Sequence, residues 1–397
     1  MPYIVGMRRS ARSVYFGAIL LGLALIACTP PGPPQLRIEM AQPVSYDAKQ
    51  PCVVHYTEGR RTVALPARIK ARGGYSRRYP KRSYALELAE KHPLAGITRD
   101  DDWILNANYI DKTFVRHVLS YGLYRAMHPD NRAARTAYVT LAWNDEPRGL
   151  YVLMEELNGG ALDLVKADTA AALFKDPPIF RAQLPPVRDS LSPFHQKYPK
   201  PHRADRSAAL HAFRRFLTRS DDVTFLARVG DYIDRRQVLD WHLLLLLTNN
   251  SDGILKNFYL YRTHSDAPYR IAIWDYDHSF GRDGDGERNR LERNVDARRS
   301  LLFRRLLDAE GSTYPAELRE RYVELRRSGL FSLTGIQQRI NTYLAPLGPT
   351  LRANAHRWPL DSDNYYDADT HAQEVAFLYE VVALQLARLD ERFGYGE

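Results

Sequence analysis

The chain has 397 residues, a formal net charge of +9 and two cysteines, Cys28 and Cys52. So few cysteines exclude a disulfide scaffold. The moderate positive surplus does not by itself choose among anionic headgroups, nucleic acid and phosphorylated ligands; no dense Lys/Arg run with interleaved aromatics and no nucleic-acid module is present, so a specific nucleic-acid partner is not expected.

Arg8, Arg9 and Arg12 precede an apolar run over 14–26 that is too short for a comfortable membrane span. The run closes on Leu25-Ile26-Ala27-Cys28, with a small residue directly before the cysteine. This is the pattern of a signal peptide over 1–27 ending in a bacterial lipobox. Lipidation of Cys28 then tethers the exported protein to a membrane, and Thr29 in place of Asp favours the outer membrane. Loss of the three leader arginines lowers the charge from +9 to +6. Residues 28–35 form the lipidated cysteine and a stiff spacer containing Pro30, Pro31, Pro33 and Pro34. Cys52, between Pro51 and Val53, is left without a partner and reads as a buried thiol on a strand.

The rest of the chain exceeds what one core usually serves, so two lobes are expected, over 36–160 and 161–397. The first is strand-rich: 36–40, 67–70, 84–88 and 138–141 alternate apolar with polar side chains, as in an antiparallel sheet. Phe114, Val118, Leu119 and Leu123 fall near helical spacing within 113–127, with Asp111 as the N-cap of a helix packed on that sheet. Glu146-Pro147-Arg148-Gly149 reads as the turn of a hairpin joining 139–143 to 150–154. Beyond Gly160 the pattern is mostly helical, broken by a loop or lid at Pro177, Pro178, Pro185 and Pro186. Residues 238–247 suit a buried helix, and Val375, Leu378, Val382, Leu386, Leu389 and Phe393 mark one face of a C-terminal helix.

The chemistry is concentrated over 252–277. A strand over 258–261, a turn over 263–268 and a return strand over 270–273 predict a hairpin that sets Asn257 beside Asp275. Magnesium takes one or two protein carboxylates together with phosphate oxygens, so one Asn and one Asp suffice. Asp252 lies five residues before Asn257, the separation of the Asp and Asn in the protein-kinase catalytic loop, and Asp275 follows the next hairpin as the metal-holding Asp does there. Asn250-Ser251 stands where His-Arg would, which rules out a standard eukaryotic-type kinase. Taken singly, Asp252 explains itself as a turn residue and Asn257 as a cap. Asp275 and Asp277 share one face across Tyr276, a costly pairing without a cation between them. A calcium loop fits Asp275, Asp277 and Ser279 but fails at Phe280, where glycine is needed, and at Gly286, where a glutamate is needed. The stretch 283–286 is then a solvated loop.

The blocks Trp274-Asp275-Tyr276-Asp277-His278-Ser279-Phe280-Gly281, Asn257-Phe258-Tyr259-Leu260-Tyr261, Asp102-Trp103-Ile104-Leu105 with Tyr109-Ile110-Asp111, and Gly149-Leu150-Tyr151-Val152-Leu153-Met154-Glu155 resemble the CotH kinase family. So does Arg72-Gly73 followed by Pro80-Lys81-Arg82-Ser83-Tyr84. The resemblance implies an α+β, divergent two-lobed kinase-like fold, ATP with Mg2+ or another divalent cation, and phosphoryl transfer to the hydroxyl of a protein, here an envelope or secreted one. Carried over by position, Asp252 orients and deprotonates the acceptor, Asn257 and Asp275 hold the metal, and Asp277 is a second ligand. Arg72 and Lys81 flank a Gly-rich turn from which they reach phosphate oxygens, Glu155 anchors one of those cations, and Tyr75 and Tyr269 stack on the base. Gly74-Tyr75 stands where relatives often show Asn-Ser. Two other readings compete: a non-catalytic surface protein keeping the fold for assembly, since little ATP is met beyond the inner membrane, and nucleotidyl transfer on the same scaffold.

Overall fold

Alternating strands in the first part of the chain build a barrel. In this computed structural model, residues 32–184, 194–282, 294–360 and 369–396 are described; the leader, Cys28, Pro185, Pro186 and the 283–286 stretch lie outside them. The strands are β1 (Gln35–Glu39), β2 (Gln50–Glu58), β3 (Arg61–Arg72), β4 (Ser83–Leu94), β5 (Ile97–Asn106), a short β6 (Arg132–Ala133), β7 (Thr136–Trp143) and β8 (Glu146–Glu155). All but β6 close into a barrel in the order β1-β2-β3-β4-β5-β8-β7. The expected antiparallel sheet is therefore corrected: β1 and β7 pair in parallel, Leu36 opposite Leu141, and this pair shuts the ring.

Period-two burial explains the core. Leu36, Ile38, Val54, Ile69, Leu86, Trp103, Leu105, Val139, Leu141, Tyr151 and Leu153 fill the barrel. On β8 the intervening Leu150, Val152 and Met154 belong to the helical core outside it. From Leu150 on, both faces of β8 are thus buried, which is why 150–154 read as an unbroken apolar run. Cys52 is a buried free thiol on β2, and burial pushes its pKa up to about 11.

Two local expectations shift. The turn between β7 and β8 falls at Asn144, whose φ is +52°, while Glu146 to Gly149 already belong to β8, with a register shift between Leu141 and Ala142. Helix α1 (Arg116–Met127) begins later than 113 because Phe114 takes a φ of +60°. Asp111 still serves the helix from outside, accepting the backbone N–H of Arg116 at 3.1 Å.

The second sheet has the order β10-β9-β11-β12-β6, from β9 (Ala172–Lys175), β10 (Gln196–Tyr198), β11 (Phe258–Arg262) and β12 (Arg270–Ile273). Around it pack α2 (Ser207–Arg219), α3 (Asp222–Tyr232), α4 (Arg235–Thr248), α5 (Leu301–Asp308), α6 (Tyr314–Arg327), α7 (Leu333–Leu344), α8 (Gly348–Arg357) and α9 (His371–Phe393). The molecule is a mixed α+β protein. Tyr269, expected to stack on a base, is corrected by this arrangement: it is only 4% exposed and lies parallel to Phe213 with ring centroids 6.2 Å apart. Helix α9 starts at a capping box formed by Thr370 and Gln373. Among the described residues no helix is long and apolar enough to cross a membrane.

Helix α4 is buried over almost its whole length, and it carries a testable titration. His242 is fully buried against Phe303, centroid 4.4 Å away, and bonds the Tyr314 hydroxyl at 3.1 Å. Burial first, then the charges of Arg392 and Arg298, hold its pKa down to about 3, against 6.5 as the ordinary value. The unfolded chain therefore binds a proton before the folded one does. Stability from this residue is full above the ordinary pKa and is lost as pH falls toward 3. At pH 5 the loss is about 2 kcal/mol. Urea unfolding of His242→Phe should show a shallower fall in stability between pH 7 and 5 than the parent; equal slopes would contradict this.

Candidate active site

The end of α4 sets the first wall of the site. Asn249 closes the helix in the left-handed conformation, and Asn250 Oδ1 accepts the Gly253 N–H at 2.9 Å, folding residues Asp252–Ile254 into one 3-10 turn. The hairpin β11–β12 supplies the second wall, in the register that pairs Phe258 with Ile273. Asn257 and Asp275 sit at its two ends. The Trp274 N–H donates to the Asn257 carbonyl at 3.0 Å, and Asn257 Nδ2 donates to the Asp275 backbone carbonyl at 3.1 Å. Both residues have positive φ, +63° and +58°. Asn and Asp tolerate that region better than most side chains.

These residues line a cavity of about 290 Å³ together with Asp252, Lys256, Asp277, His278, Tyr75 and Tyr79. The Asp252 carboxylate meets Lys256 Nζ at 2.8 Å and His278 Nδ1 at 3.6 Å. Burial pushes its pKa up, but His278 and Lys256 outweigh that and keep it below the ordinary value. Asp275 opens on the cleft, with 51% of its side chain exposed, and meets His117 Nε2 at 3.4 Å. Desolvation within the cleft raises its pKa; the bond and charge of His117, then Lys175 and Arg72, bring it down to about 2. Asp277 moves the other way, raised first by burial and then by the charge of Asp275. His278 is lowered by burial yet carried up to about 9 by Asp277 and Asp252. Among the described residues, His117, Asp275 and Asp277 bring ligand atoms within 4.8 Å of one another. Two carboxylates and one imidazole, with Asn257 adjacent, are a donor set that suits a divalent cation.

The remaining expected contacts are placed differently. Tyr75 is 53% exposed at the cavity mouth, with Arg78 over its ring. Arg72 lies over Trp274, 5.6 Å from the ring centroid. Lys81 lines the cavity but is caged: its Nζ donates to the carbonyls of Ala107 and Leu150 and to Asn354 Oδ1, between the faces of Phe114 and Tyr151. Burial holds its pKa well below the ordinary lysine value. With its N–H groups turned to these three oxygens, it has none left for a phosphate. Glu155 anchors neither Arg72 nor Lys81; it accepts from Arg135 Nε at 2.7 Å. Tyr269, buried just before β12, does not line the cavity.

Several site residues escaped the reading of the sequence. His117 and Tyr121 project from α1, where only the apolar positions carry a periodic signal; the Tyr121 hydroxyl accepts the Asp275 N–H at 2.8 Å. Arg116 donates through Nε to the Ser279 carbonyl at 3.0 Å and pairs with Asp111 and Glu374, all three side chains fully buried. Arg282 joins the same network through Glu374. The run from Asp275 to Arg282 is thereby fastened to α1 and α9. Gly281 closes it with a φ of +84°, and a Cβ there would stand 2.7 Å from Val381 and 2.9 Å from Phe377. Gly281→Ala should cost about 1–3 kcal/mol through strain and overpacking. Thermal unfolding checks this, and an unchanged midpoint would show that the loop yields freely.

The sequence profile of the CotH kinase protein family matches residues 69–383, a span that includes Asp252, Asn257, Asp275 and Asp277. A curated relative, the inner spore coat protein H of Bacillus subtilis (strain 168), is 25% identical over 308 residues, covering 77% of this chain and 81% of the relative. With a match over most of its length and the cleft inside it, this chain belongs to the CotH kinase protein family.

Proposed function

We propose that the protein is a metal-dependent phosphotransferase that moves the γ-phosphoryl group of ATP to a protein hydroxyl. The barrel serves as the N-terminal lobe of a divergent two-lobed kinase-like fold, and the second sheet with its helices as the C-terminal lobe. The observation that carries this reading is the convergence of Asp252, Asn257, Asp275 and Asp277 on one cavity. Asp275, Asp277 and Asn257 would hold a divalent cation, with His117 as a further donor beside them. When bound, such a cation neutralises phosphate charge. Asp252, kept ionised by Lys256 and His278, orients the acceptor hydroxyl and receives its proton as the new P–O bond forms and ADP departs. Tyr75, at the mouth, is positioned to cover the base.

The acceptor is an envelope or secreted protein on this reading. Cys28 carries a lipid anchor, and the protein is an exported lipoprotein of the outer membrane. The relative's description as an inner spore coat protein supports a surface-associated role. It also favours a second reading, in which the chain keeps the fold for assembly and transfers nothing.

One experiment separates the readings. Purified protein is incubated with serine-, threonine- and tyrosine-containing peptides, Mg2+ or Mn2+, and ATP labelled at either the γ or the α position. Metal-dependent transfer of γ label is expected. Transfer of α label instead would mean nucleotidyl transfer, and absence of both would leave the assembly role.

A further inference from the structure

Two cations from the two different sheets meet over Trp274, the residue before Asp275, without an ion pair to a carboxylate among the described residues. Arg72 is the last residue of β3 and Lys175 the last of β9. The Arg72 guanidinium carbon and Lys175 Nζ each lie 5.6 Å from the centroid of the Trp274 ring, and Lys175 Nζ is 5.9 Å from that of Tyr259. Strand register explains the placement. Lys175 stands opposite Tyr259 and Tyr259 opposite Ala272, so the three share one row of the sheet, and Trp274 continues the face two residues on.

Among the described residues, neither the Arg72 nor the Lys175 side chain has an ion pair or a hydrogen bond. Other buried and half-buried arginines have polar partners: Arg116 pairs with Asp111, Arg305 with Asp222, Arg321 with Asp240 and Arg326 with Asp390, while Arg214 and Arg125 bond backbone carbonyls. Aromatic faces give a cation roughly 0.5–1 kcal/mol but leave its charge unneutralised. A third cation crowds the same place. The pKa of Lys197, exposed on neighbouring β10, is lowered first by desolvation and then by the charges of Lys175 and Lys200. Positive groups held together in this way favour a multiply charged anion. Arg72 and Lys175 both act electrostatically on Asp275, so that anion lies next to the candidate metal ligands.

From this we infer that Arg72 and Lys175 are the two jaws of a phosphate clamp, with Lys175 a nucleotide-binding residue that takes the place the caged Lys81 cannot fill. The inference rests on the phosphotransferase reading and names the side chains that hold its donor. Arg72 offers a planar fork for two phosphate oxygens, and Lys175 a compact charge from the opposite sheet.

The test is titration calorimetry of the full chain with ATP and with inorganic tripolyphosphate, each in the presence of Mg2+, for the parent, Lys175→Ala and Lys175→Arg. A charge-assisted contact to phosphate predicts that Lys175→Ala weakens both ligands roughly ten- to a hundredfold. Lys175→Arg should restore most of the affinity, and the unfolding temperatures should coincide, because Lys175 holds no structural bond. If the parent binds both ligands and Lys175→Ala binds them equally well, the clamp is wrong and the phosphotransferase reading stands. If the parent binds tripolyphosphate but not ATP, the site takes some other anion and the nucleotide assignment falls. If the parent binds neither, both readings fall together.

Discussion

Asp275→Asn is expected to lower metal-dependent transfer by at least about a hundredfold, the scale seen when one charge-stabilising group is removed from an active site, while the fold is kept and the unfolding temperature falls modestly. The two outcomes have one cause. Asp275 and Asp277 are near enough for the first to raise the pKa of the second, so the pair is mutually repulsive without a cation. Asparagine keeps the shape and the left-handed backbone but removes that repulsion, at the cost of the His117 contact at 3.4 Å. The fold holds the Asp275 pKa down to about 2 through His117, Lys175 and Arg72, so losing that charge costs more stability at neutral pH than relief of the repulsion returns. Transfer of label and differential scanning calorimetry on the same preparation decide the matter. Retained activity would show that Asp275 holds no essential metal, and activity lost together with the fold would give it a structural role.

Arg116→Met is expected to be the most damaging single change to stability, at about 3–5 kcal/mol, because it strands buried carboxylates. Arg116 Nη1 reaches Asp111 at 2.7 Å and Nη2 reaches Glu374 at 3.3 Å. Methionine fills much of the space yet satisfies neither. Glu374 keeps Arg282, whereas Asp111 retains only Thr113, Asn108 and the helix N–H. Removing the second charge as well, in Arg116→Met with Asp111→Asn, should recover part of the loss, as expected for residues in one network. Urea unfolding with an unchanged slope and a lower midpoint is the signature. A shift below about 1 kcal/mol, the size of an exposed pair, would mean that water reaches this network.

The most legible part of the site was the part that is local in the chain. Asp252, Asn257 and Asp275 are separated by one turn and one hairpin, and the alternation of β11 and β12 fixes which ends meet. Helices α4 and α9 were equally legible, since an apolar run and a spaced apolar face leave few alternatives. What failed depends on partners far along the chain. Alternation identifies a strand but not its neighbour, so the parallel pairing of β1 with β7 left no trace in either segment. Lys81 looked like a free cation because the Asn354 that cages it lies 273 residues away. His117 and Lys175 were passed over for the same reason: each is an ordinary residue on its own element and acquires meaning only through Asp275 or Trp274. The hairpin turn was misplaced because Gly149 is the stronger local signal, while Asn144 supplied the left-handed residue.

Closure of the barrel also bears on how the protein meets others. The closed part of the ring is paired on both sides, but residues 61–66 of β3 pair only with β2, because β4 meets β3 over 67–72, and among the described residues this overhang leaves a row of backbone groups without a strand beside it. The second sheet ends in strands of three and two residues, too short to template a long addition. Strand addition by another molecule is therefore confined to such overhangs, and a peptide designed as a β-strand mimic should bind along 61–66 and not on the closed part of the ring.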